Sequence, residues 1–229
     1  MARVASVTRT VLADQVKERL LEGILSGAYP PDSRIVETAI AREMQVSQAP
    51  VREALRGLEA LGVVEITPFR GARVRQPDQQ ELEEAYAVRC AIEVLGAKLA
   101  MPRMTDEDIE ELTELAERMA VGAELEDGHS VAAVDTRFHG RIMELSGNKA
   151  VMRVWQSLEP FARTYLTLVM PGSDPYWTYG LHVPIIEGIR RRDTDAVVRA
   201  LEAHFDEARQ TLGDRMRRSR EQAAEVAEE

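Results

Sequence analysis

The sequence has little cysteine and no long apolar run. Cys90 is its single cysteine, which excludes an intrachain disulfide and favours a reducing compartment. No apolar stretch is long enough to span a bilayer, and the N-terminus MARVASVTRT lacks the hydrophobic segment of a signal peptide. Neither an internal repeat nor a glycine-rich phosphate loop is present. We therefore expect a cytoplasmic protein without a membrane partner.

The length and the charge distribution predict two domains. With 229 residues, 45% of them hydrophobic, the chain exceeds one typical domain. Residues 1–76 hold 11 Lys/Arg and 9 Asp/Glu, net +2, whereas residues 77–229 hold 18 and 30, net −12, and the two sum to −10. The acidity of the chain therefore does not exclude binding of nucleic acid by its first part. We place the boundary at Gln76-Pro77, after which Asp78 and Glu81 form a predicted capping box.

The segment Val46–Val64 predicts the second helix of a helix-turn-helix, followed by a strand. Ser47 is a natural N-cap for that helix. An amphipathic helix from Val11 to Leu25 and a helix from about Glu37 precede it, and a hairpin that turns at Gly71 follows. Residues 1–76 are therefore predicted to form a winged helix-turn-helix, with three helices and a β-hairpin wing. Residues 77–229 are predicted to form an all-helical bundle with an acidic tail.

Exposed positions of the second helix and of the wing are candidate DNA contacts. Arg52 can make a bidentate contact with guanine, worth about 1–3 kcal/mol of base discrimination. The alternative for Arg52 is an ion pair with Glu53, Glu59 or another surface acid. Gln48 can contact adenine in the same way as Arg52 contacts guanine. The candidate DNA-binding residues are Ser47, Gln48, Ala49, Arg52, Arg70, Gly71 and Arg73.

One carboxylate and three histidines of the second part fall at matched helical positions. Asp135 and His139 lie four residues apart and share one helix face. His182 and His204 each lie eleven residues from Asp193, so an antiparallel helix hairpin brings them to the same height. A hydrogen-bonded Asp–His pair explains the first spacing by itself. Together, however, the three histidines favour a divalent transition metal, with zinc the first choice.

Arg89 lies within the predicted apolar stripe of the first helix of this bundle, together with Leu82, Ile92 and Leu99. A charged group in such a stripe needs a partner. Glu93, four residues further on, can supply it as an ion pair. A bound anionic ligand is the other interpretation, and the sequence leaves both open.

The first part resembles the winged helix of GntR-type bacterial transcription regulators. The resemblance covers about residues 9–76 and rests on the run VSQAPVREAL from Val46 to Leu55, then on Leu58-Glu59, Gly62 and Gly71-Ala72-Arg73-Val74. That family usually has Arg-Thr where this chain has Gln48-Ala49. The resemblance implies binding to DNA, with an operator sequence that differs from those of relatives.

Residues 78–215 resemble the helical ligand-sensing domain, called FCD, of the FadR subgroup of these regulators. The matching pieces are Arg89-x-x-x-Glu93, Asp135-x-x-Phe138-His139 with Gly147-Asn148, and His182 with His204. The resemblance implies that Asp135, His139, His182 and His204 are metal ligands and that Arg89 faces the effector pocket. It further implies a homodimer and a carboxylate-bearing metabolite as effector.

These patterns favour a metabolite-responsive transcription regulator, a repressor that binds a palindromic operator and is released by its effector. The alternative is a metal-dependent enzyme acting on a small organic acid, because a His/Asp metal centre with an open position can activate water. No glutamate lies between Asp135 and His139, where a zincin would carry its base. Because the chain also has a predicted DNA-binding unit, ligand sensing is a simpler role for the helical part than catalysis. We therefore expect no enzymatic activity.

Overall fold

The computed structural model describes residues 7–67, 70–76, 78–168 and 175–228. The chain divides into two compact units, Met1–Gln76 and Pro77–Glu229. In the part of the chain that is described, every helix is too short or too polar to cross a membrane.

The first unit combines helices with a small antiparallel sheet, which confirms the predicted winged helix-turn-helix. Its elements are α1 (Val7–Leu25), β1 (Arg34–Ile35), α2 (Glu37–Glu43), α3 (Gln48–Ala60), β2 (Val64–Thr67) and β3 (Gly71–Val74). The sheet has the order β1-β3-β2, so it contains one strand more than the predicted hairpin. A two-residue strand is too short to show the alternation by which strands are recognised in a sequence.

Two turns with positive φ fix the path of the chain on either side of α3. Gln45 has φ 55° in the turn between α2 and α3, and Gly62 has φ 71° after α3. Helix α1 packs against α3, and the core of this unit joins their buried side chains to those of α2 and the sheet. The outer side of α3 is thereby left exposed, which is the side a recognition helix presents to DNA.

The second unit is a helical bundle, as predicted. Its helices are α4 (Gln79–Ala100), α5 (Asp106–Glu124), α6 (Gly128–Leu145), α7 (Lys149–Leu168), α8 (Pro175–Arg190) and α9 (Thr194–Glu228), with a short 3-10 helix at Met101–Arg103. The predicted capping box of Asp78 and Glu81 opens α4. The acidic tail expected after Arg215 continues as helix α9 up to Glu228.

The core of the bundle encloses charged and polar groups. Its largest buried side chains include Phe138, Leu82, Leu112, Met119, Ile142, Met143 and Ile185. Arg89 and Glu93 are buried on the inner face of α4, whereas Leu99, which the sequence placed in the inner stripe, is 37% exposed. The inner face of α4 cannot be identified from its apolar residues alone, because a buried ion pair occupies two of its positions.

Candidate metal centre and nucleic-acid interface

Three histidines and one aspartate meet inside the bundle. Asp135 and His139 come from α6, His182 from α8 and His204 from α9, and all four are buried. One ring nitrogen of each histidine lies within 4.8 Å of those of the other two. The Nε2 atoms of His139 and His182 are 3.0 Å apart. Asp135 Oδ1 lies 3.1 Å from His182 Nε2 and 3.8 Å from His139 Nε2.

The hairpin of α8 and α9 places two of these histidines side by side. The helices pack against each other and are joined by a turn in which Arg192 has φ 53°. The ring centroids of His182 and His204 are 4.8 Å apart. Their equal distance in sequence from the turn at Asp193 accounts for this juxtaposition.

Hydrogen bonds on the outer side of the cluster fix two imidazole tautomers. His139 Nδ1 donates to the carboxylate of Glu93, and His182 Nδ1 donates to the carbonyl oxygen of Thr178 over 2.8 Å. When these rings are neutral, each Nε2 therefore carries a lone pair that points inward. Together with the carboxylate of Asp135, they form a set of converging acceptors that needs a positive charge at its centre.

His204 completes this donor set. Among the described residues, no group pairs with its buried Nδ1 atom. An unpaired buried nitrogen is costly unless a ligand satisfies it. Three imidazoles and a carboxylate are ligands that Zn²⁺ and similar divalent ions prefer, so the residues present fit a metal ion.

The electrostatics of the cluster suit a cation. Burial by itself would raise the pKa of the Asp135 carboxyl, but the hydrogen bond with His182 and the charges of the surrounding cations hold this pKa below its usual range. Burial, followed by the neighbouring His182 and His139, lowers the pKa of His204 well below its usual value. Asp135 is therefore ionised and His204 neutral, which are the protonation states that bind metals. Burial would lower the pKa of His139, but the charge and hydrogen bond of Glu93 raise it, so a metal ion has to displace a proton from this ring.

Glu93 connects the cluster with two further helices. Its Oε1 atom accepts hydrogen bonds from Arg89 Nε (3.1 Å), Arg89 Nη2 (2.9 Å) and Trp155 Nε1 (2.9 Å), while Oε2 accepts from His139. Burial would raise the pKa of this carboxyl, but the charges and hydrogen bonds of His139 and Arg89 lower it to about 2. Metal-binding histidines usually donate their outer N–H to such a carboxylate, which orients the ring.

Sequence reasoning found Glu93 only as a possible partner of Arg89. Its spacing of four from Arg89 signals an ion pair, but no local pattern connects it with His139, 46 residues away. The structure shows the ion pair that the sequence left open as one alternative. Arg89 is only 5% exposed, and its guanidinium also lies 5.3 Å from the ring centroid of Phe205. Its role in effector binding stays a prediction.

The candidate DNA contacts of α3 are exposed, and one of them already has protein partners. Ser47, Gln48 and Arg52 face solvent, while Ala49 is half-buried. Arg52 Nε lies 2.6 Å from Glu37 Oε2 of α2, and Arg52 Nη2 donates to Gln48 Oε1 over 2.9 Å. The ion pair considered for Arg52 is thus formed, with Glu37 as the partner.

The wing candidates lie beside an arginine that the sequence reasoning missed. Arg70 and Arg73 are exposed, and Gly71 has φ 87° and is half-buried. Arg73 Nη1 donates to the carbonyl oxygen of Asp32 over 2.7 Å. Arg34 of β1 is exposed and stands opposite Arg73 in the sheet. Only the strand β1, which the sequence did not reveal, brings Arg34 to this surface.

Comparison with known families agrees with the two-unit architecture. Residues 12–74 match the gntR family of bacterial regulatory proteins, and residues 84–207 match the FCD domain. The chain is 32% identical over 198 residues to a probable D-xylose utilization operon transcriptional repressor of Paenarthrobacter nicotinovorans, which covers 86% of this chain and 87% of the relative. It is 25% identical to the gluconate operon transcriptional repressor of Bacillus licheniformis, over 83% of this chain and 81% of the relative.

Solved structures show the same fold. The structure of E. coli McbR/YncC superposes with a TM-score of 0.79 at 21% identity and covers 90% of this chain and 98% of that one. A putative GntR regulator from Rhodococcus sp. RHA1 gives a TM-score of 0.78 at 23% identity, covering 89% and 98%. The matching families and relatives are regulators and not enzymes, which confirms the expected absence of an enzymatic role. The chain therefore belongs to the GntR family of bacterial regulatory proteins and is a transcription regulator with a C-terminal FCD domain.

Proposed function

We propose that the protein is a repressor of the FadR subgroup whose operator affinity is controlled by a small carboxylate metabolite at a metal site in the FCD domain. Asp135, His139, His182 and His204 would hold the ion, and zinc suits them best. The observation that carries this proposal is the convergence of buried acceptor atoms, with two imidazole tautomers fixed from outside. When bound, the ion would supply a Lewis-acidic centre for a ligand oxygen.

Arg89 and Glu93 give the effector a route to the rest of the bundle. A carboxylate that reaches Arg89 has to compete with Glu93, which accepts both of the observed guanidinium hydrogen bonds. Release of Glu93 from Arg89 would also alter its bonds to His139 and Trp155, so the packing of α4, α6 and α7 would change together. Helix α4 is the first helix after the winged helix in the chain. A movement of α4 would therefore reach the DNA-binding unit through the shortest stretch of backbone.

We propose that the winged helix binds a palindromic operator as part of a homodimer, with α3 in the major groove. The candidate base contacts are Gln48, Ala49 and Arg52, and Ser47 would position the start of α3 near phosphate. The candidates in the wing are Arg70, Gly71 and Arg73, and Arg34 joins them through β1. The exposure of the four arginines and the net charge of +2 on residues 1–76 support this assignment, since phosphate binding needs an accessible cationic surface.

Effector binding is expected to weaken DNA binding by about 5- to 150-fold, which corresponds to a coupling of about 1–3 kcal/mol. The measurement is a fluorescence-polarisation titration of the promoter DNA beside the gene of this protein, with metal-loaded and chelator-treated protein. Carboxylic acids that raise the melting temperature of metal-loaded protein supply the candidates. Absence of salt-sensitive DNA binding would refute the regulator mechanism. An equal effect of the acid with and without metal would refute the metal site as effector site.

Arg52→Ala is expected to weaken operator binding by about 1–3 kcal/mol, or roughly 5- to 150-fold, because a bidentate base contact is lost. The loss should fall on one base-pair position of the operator, so the variant should no longer discriminate substitutions there. Arg191→Ala is the matched control, since it removes one exposed arginine from the other unit. The base-contact role fails if Arg52→Ala weakens binding to operator and to scrambled DNA by the same factor.

A further inference from the structure

Gly140 is a buried glycine in the middle of helix α6, directly after His139. The backbone at this residue is helical, so no turn and no positive φ requires a glycine. Glycine also destabilises the interior of a helix relative to alanine, since it loses more conformational freedom on folding. The reason for a glycine at this position therefore lies in the side chain that packs against it.

The indole of Trp155 packs against the bare backbone at Gly140. A β-carbon at residue 140 would lie 2.9 Å from Cη2 of Trp155, 3.3 Å from Cζ3 and 3.6 Å from Cζ2. The most favourable distance between two such carbon atoms is about 3.5–4.0 Å. Helices α6 and α7 pack together, and Trp155 of α7 is only 5% exposed, so the indole has little room. Even the methyl group of an alanine would therefore displace it.

Another edge of the same indole contacts the carboxylate that orients His139. Trp155 Nε1 donates to Glu93 Oε1 over 2.9 Å, and Glu93 Oε2 accepts from His139 Nδ1. His139 is in turn joined to Gly140 by a peptide bond. These contacts form a closed network that runs from α6 through α4 and α7 back to α6. Because the indole is a rigid plane, a displacement at Gly140 also moves Nε1 against Glu93.

We propose that Gly140 is a positioning residue of the candidate metal centre, which acts through Trp155 on Glu93 and through Glu93 on the imidazole of His139. This inference rests on the metal site of the proposed function and adds a residue that supplies no ligand atom. The absence of a side chain at residue 140 makes room for the indole, and the indole limits where the carboxylate can lie. The ring of His139 is thereby held in the orientation that directs Nε2 to the other ligands.

Loss of the indole and displacement of the indole have different consequences. Glu93 Oε1 also accepts two hydrogen bonds from Arg89, so the carboxylate keeps its place when the indole N–H is absent. A displaced indole, in contrast, still occupies the space beside Glu93 and pushes against it. A substitution at Gly140 should therefore disturb the metal centre more than removal of the indole does, and only while the indole is present.

Gly140→Ala is expected to weaken metal binding by about tenfold, at the lower end of the effect of disturbing the outer partner of a ligating histidine. The measurement is chelator competition on the full-length protein, with circular dichroism to establish that the variant is folded. A folded Gly140→Ala protein with wild-type metal affinity overturns the proposal.

Gly122→Ala is the matched control. Gly122 is also a buried glycine inside a helix, α5, and a β-carbon there would lie 2.9 Å from Val131 Cγ2. Its nearest neighbours are Val131 and Ser130, which lie outside the closed network. This variant introduces the same crowding between two helices and should keep the wild-type metal affinity. An equal loss of affinity in Gly122→Ala and Gly140→Ala would assign the effect to helix packing and overturn the positioning role.

The absorption spectrum of the cobalt-substituted protein separates positioning from stability. The cobalt bands should shift in Gly140→Ala, because the ring of His139 changes its orientation, and they should keep their wild-type positions in Gly122→Ala. A Gly140→Ala protein that is less stable but has wild-type bands would show that this glycine serves only the packing of α6 against α7.

A second substitution tests whether Gly140 acts through the indole. The phenyl ring in Trp155→Phe is smaller than the indole, so it leaves room for a methyl group at residue 140. The double variant Gly140→Ala/Trp155→Phe should therefore bind metal about as tightly as Trp155→Phe alone. Two substitutions that act independently would instead add their free energies. A double variant that binds metal as weakly as Gly140→Ala overturns the route through Trp155.

The contact between Gly140 and Trp155 can also be followed without metal. In a Trp177→Phe background, Trp155 is the only tryptophan of the chain. Gly140→Ala should shift the emission maximum of the chelator-treated protein, because the indole leaves its place beside Gly140 and Glu93. Gly122→Ala in the same background should leave the maximum unchanged. An unchanged maximum in Gly140→Ala would contradict the displacement of the indole.

The outcomes separate this inference from the proposed function. A wild-type protein that binds no metal refutes the metal site, and the positioning role of Gly140 falls with it. A wild-type protein that binds metal, with unchanged affinity in Gly140→Ala, keeps the proposed function and refutes only the role of Gly140. A protein that loses metal affinity in Gly140→Ala but shows no salt-sensitive DNA binding keeps the positioning role and refutes the regulator mechanism.

Discussion

His182→Ala is expected to abolish metal binding. The purified wild-type protein should contain about one divalent transition metal per chain, and the variant almost none. His182 Nε2 lies 3.0 Å from His139 Nε2 and 3.1 Å from Asp135 Oδ1, so it is in direct contact with two other groups of the cluster. Its removal leaves two histidines and one carboxylate, one ligand fewer than the set that we propose for the ion. The measurement is elemental analysis together with chelator competition.

His204→Ala should have the same effect, because the buried Nδ1 of His204 has no partner among the described residues and gains one only from a ligand. His129→Ala, in the first turn of α6, is the matched control and should keep its metal. Circular dichroism establishes that each variant is folded. A wild-type protein that is folded and metal-free after growth and purification with added zinc would contradict the metal site.

Glu93→Gln is expected to weaken metal binding by about 10- to 100-fold, the usual effect of losing the outer partner of a ligating histidine. The carboxylate accepts four N–H donors on its two oxygens. A glutamine of the same shape has one acceptor oxygen, so its amide N–H₂ must face either His139 or the donors of Arg89 and Trp155. The substitution also leaves Arg89 buried without its counter-ion, which should lower stability by roughly 3–5 kcal/mol.

Chelator competition and the absorption spectrum of the cobalt-substituted protein report on the metal site separately from stability. In Glu93→Gln the cobalt bands should change, because His139 loses the hydrogen bond that orients its ring. Trp155→Phe is the control, since it removes one donor to Glu93 Oε1 but leaves the contact with His139 intact. The metal affinity of Trp155→Phe should be within about threefold of the wild-type value. This change is smaller than the about 10- to 100-fold loss expected when the outer partner of a ligating histidine is removed. A folded Glu93→Gln protein with wild-type metal affinity and spectrum would show that Glu93 is only an ion-pair partner.

Local chemistry made much of this molecule predictable from its sequence. The capping box of Asp78 and Glu81 uses a spacing of three, and the pair of Asp135 and His139 uses a spacing of four, so both follow from helix geometry. The meeting of His182 and His204 needs only one further assumption, that α8 and α9 form a hairpin. These features depend on neighbours in sequence or on a single turn.

Features that depend on several elements at once were not predictable. The contact of Glu93 with His139 joins α4 to α6 through a charged group in the core. In the sequence, the charged residues of α4 indicated only an ion pair or a bound ligand. Strand β1 forms because Arg34 and Ile35 pair with the free edge of β3. Two residues are too few for this strand to be recognised in the sequence. Leu99 was placed on the inner face of α4 because it is apolar, yet it is exposed. Each of these outcomes is decided by packing partners distant in sequence.

In the proposed contact of Arg52 with a base, the ion pair between Arg52 and Glu37 makes operator recognition an exchange of partners. Off DNA, the guanidinium of Arg52 is already bound by the carboxylate of α2 and by the amide of Gln48. A guanine has to replace contacts that exist, so a mismatched base that offers a poorer pair leaves Arg52 with Glu37. The same carboxylate would also compete with phosphate for the guanidinium, so Arg52 would gain less from random DNA. In the proposed recognition, Glu37 on the supporting helix would thereby act as a competitor that raises the ratio of specific to non-specific binding.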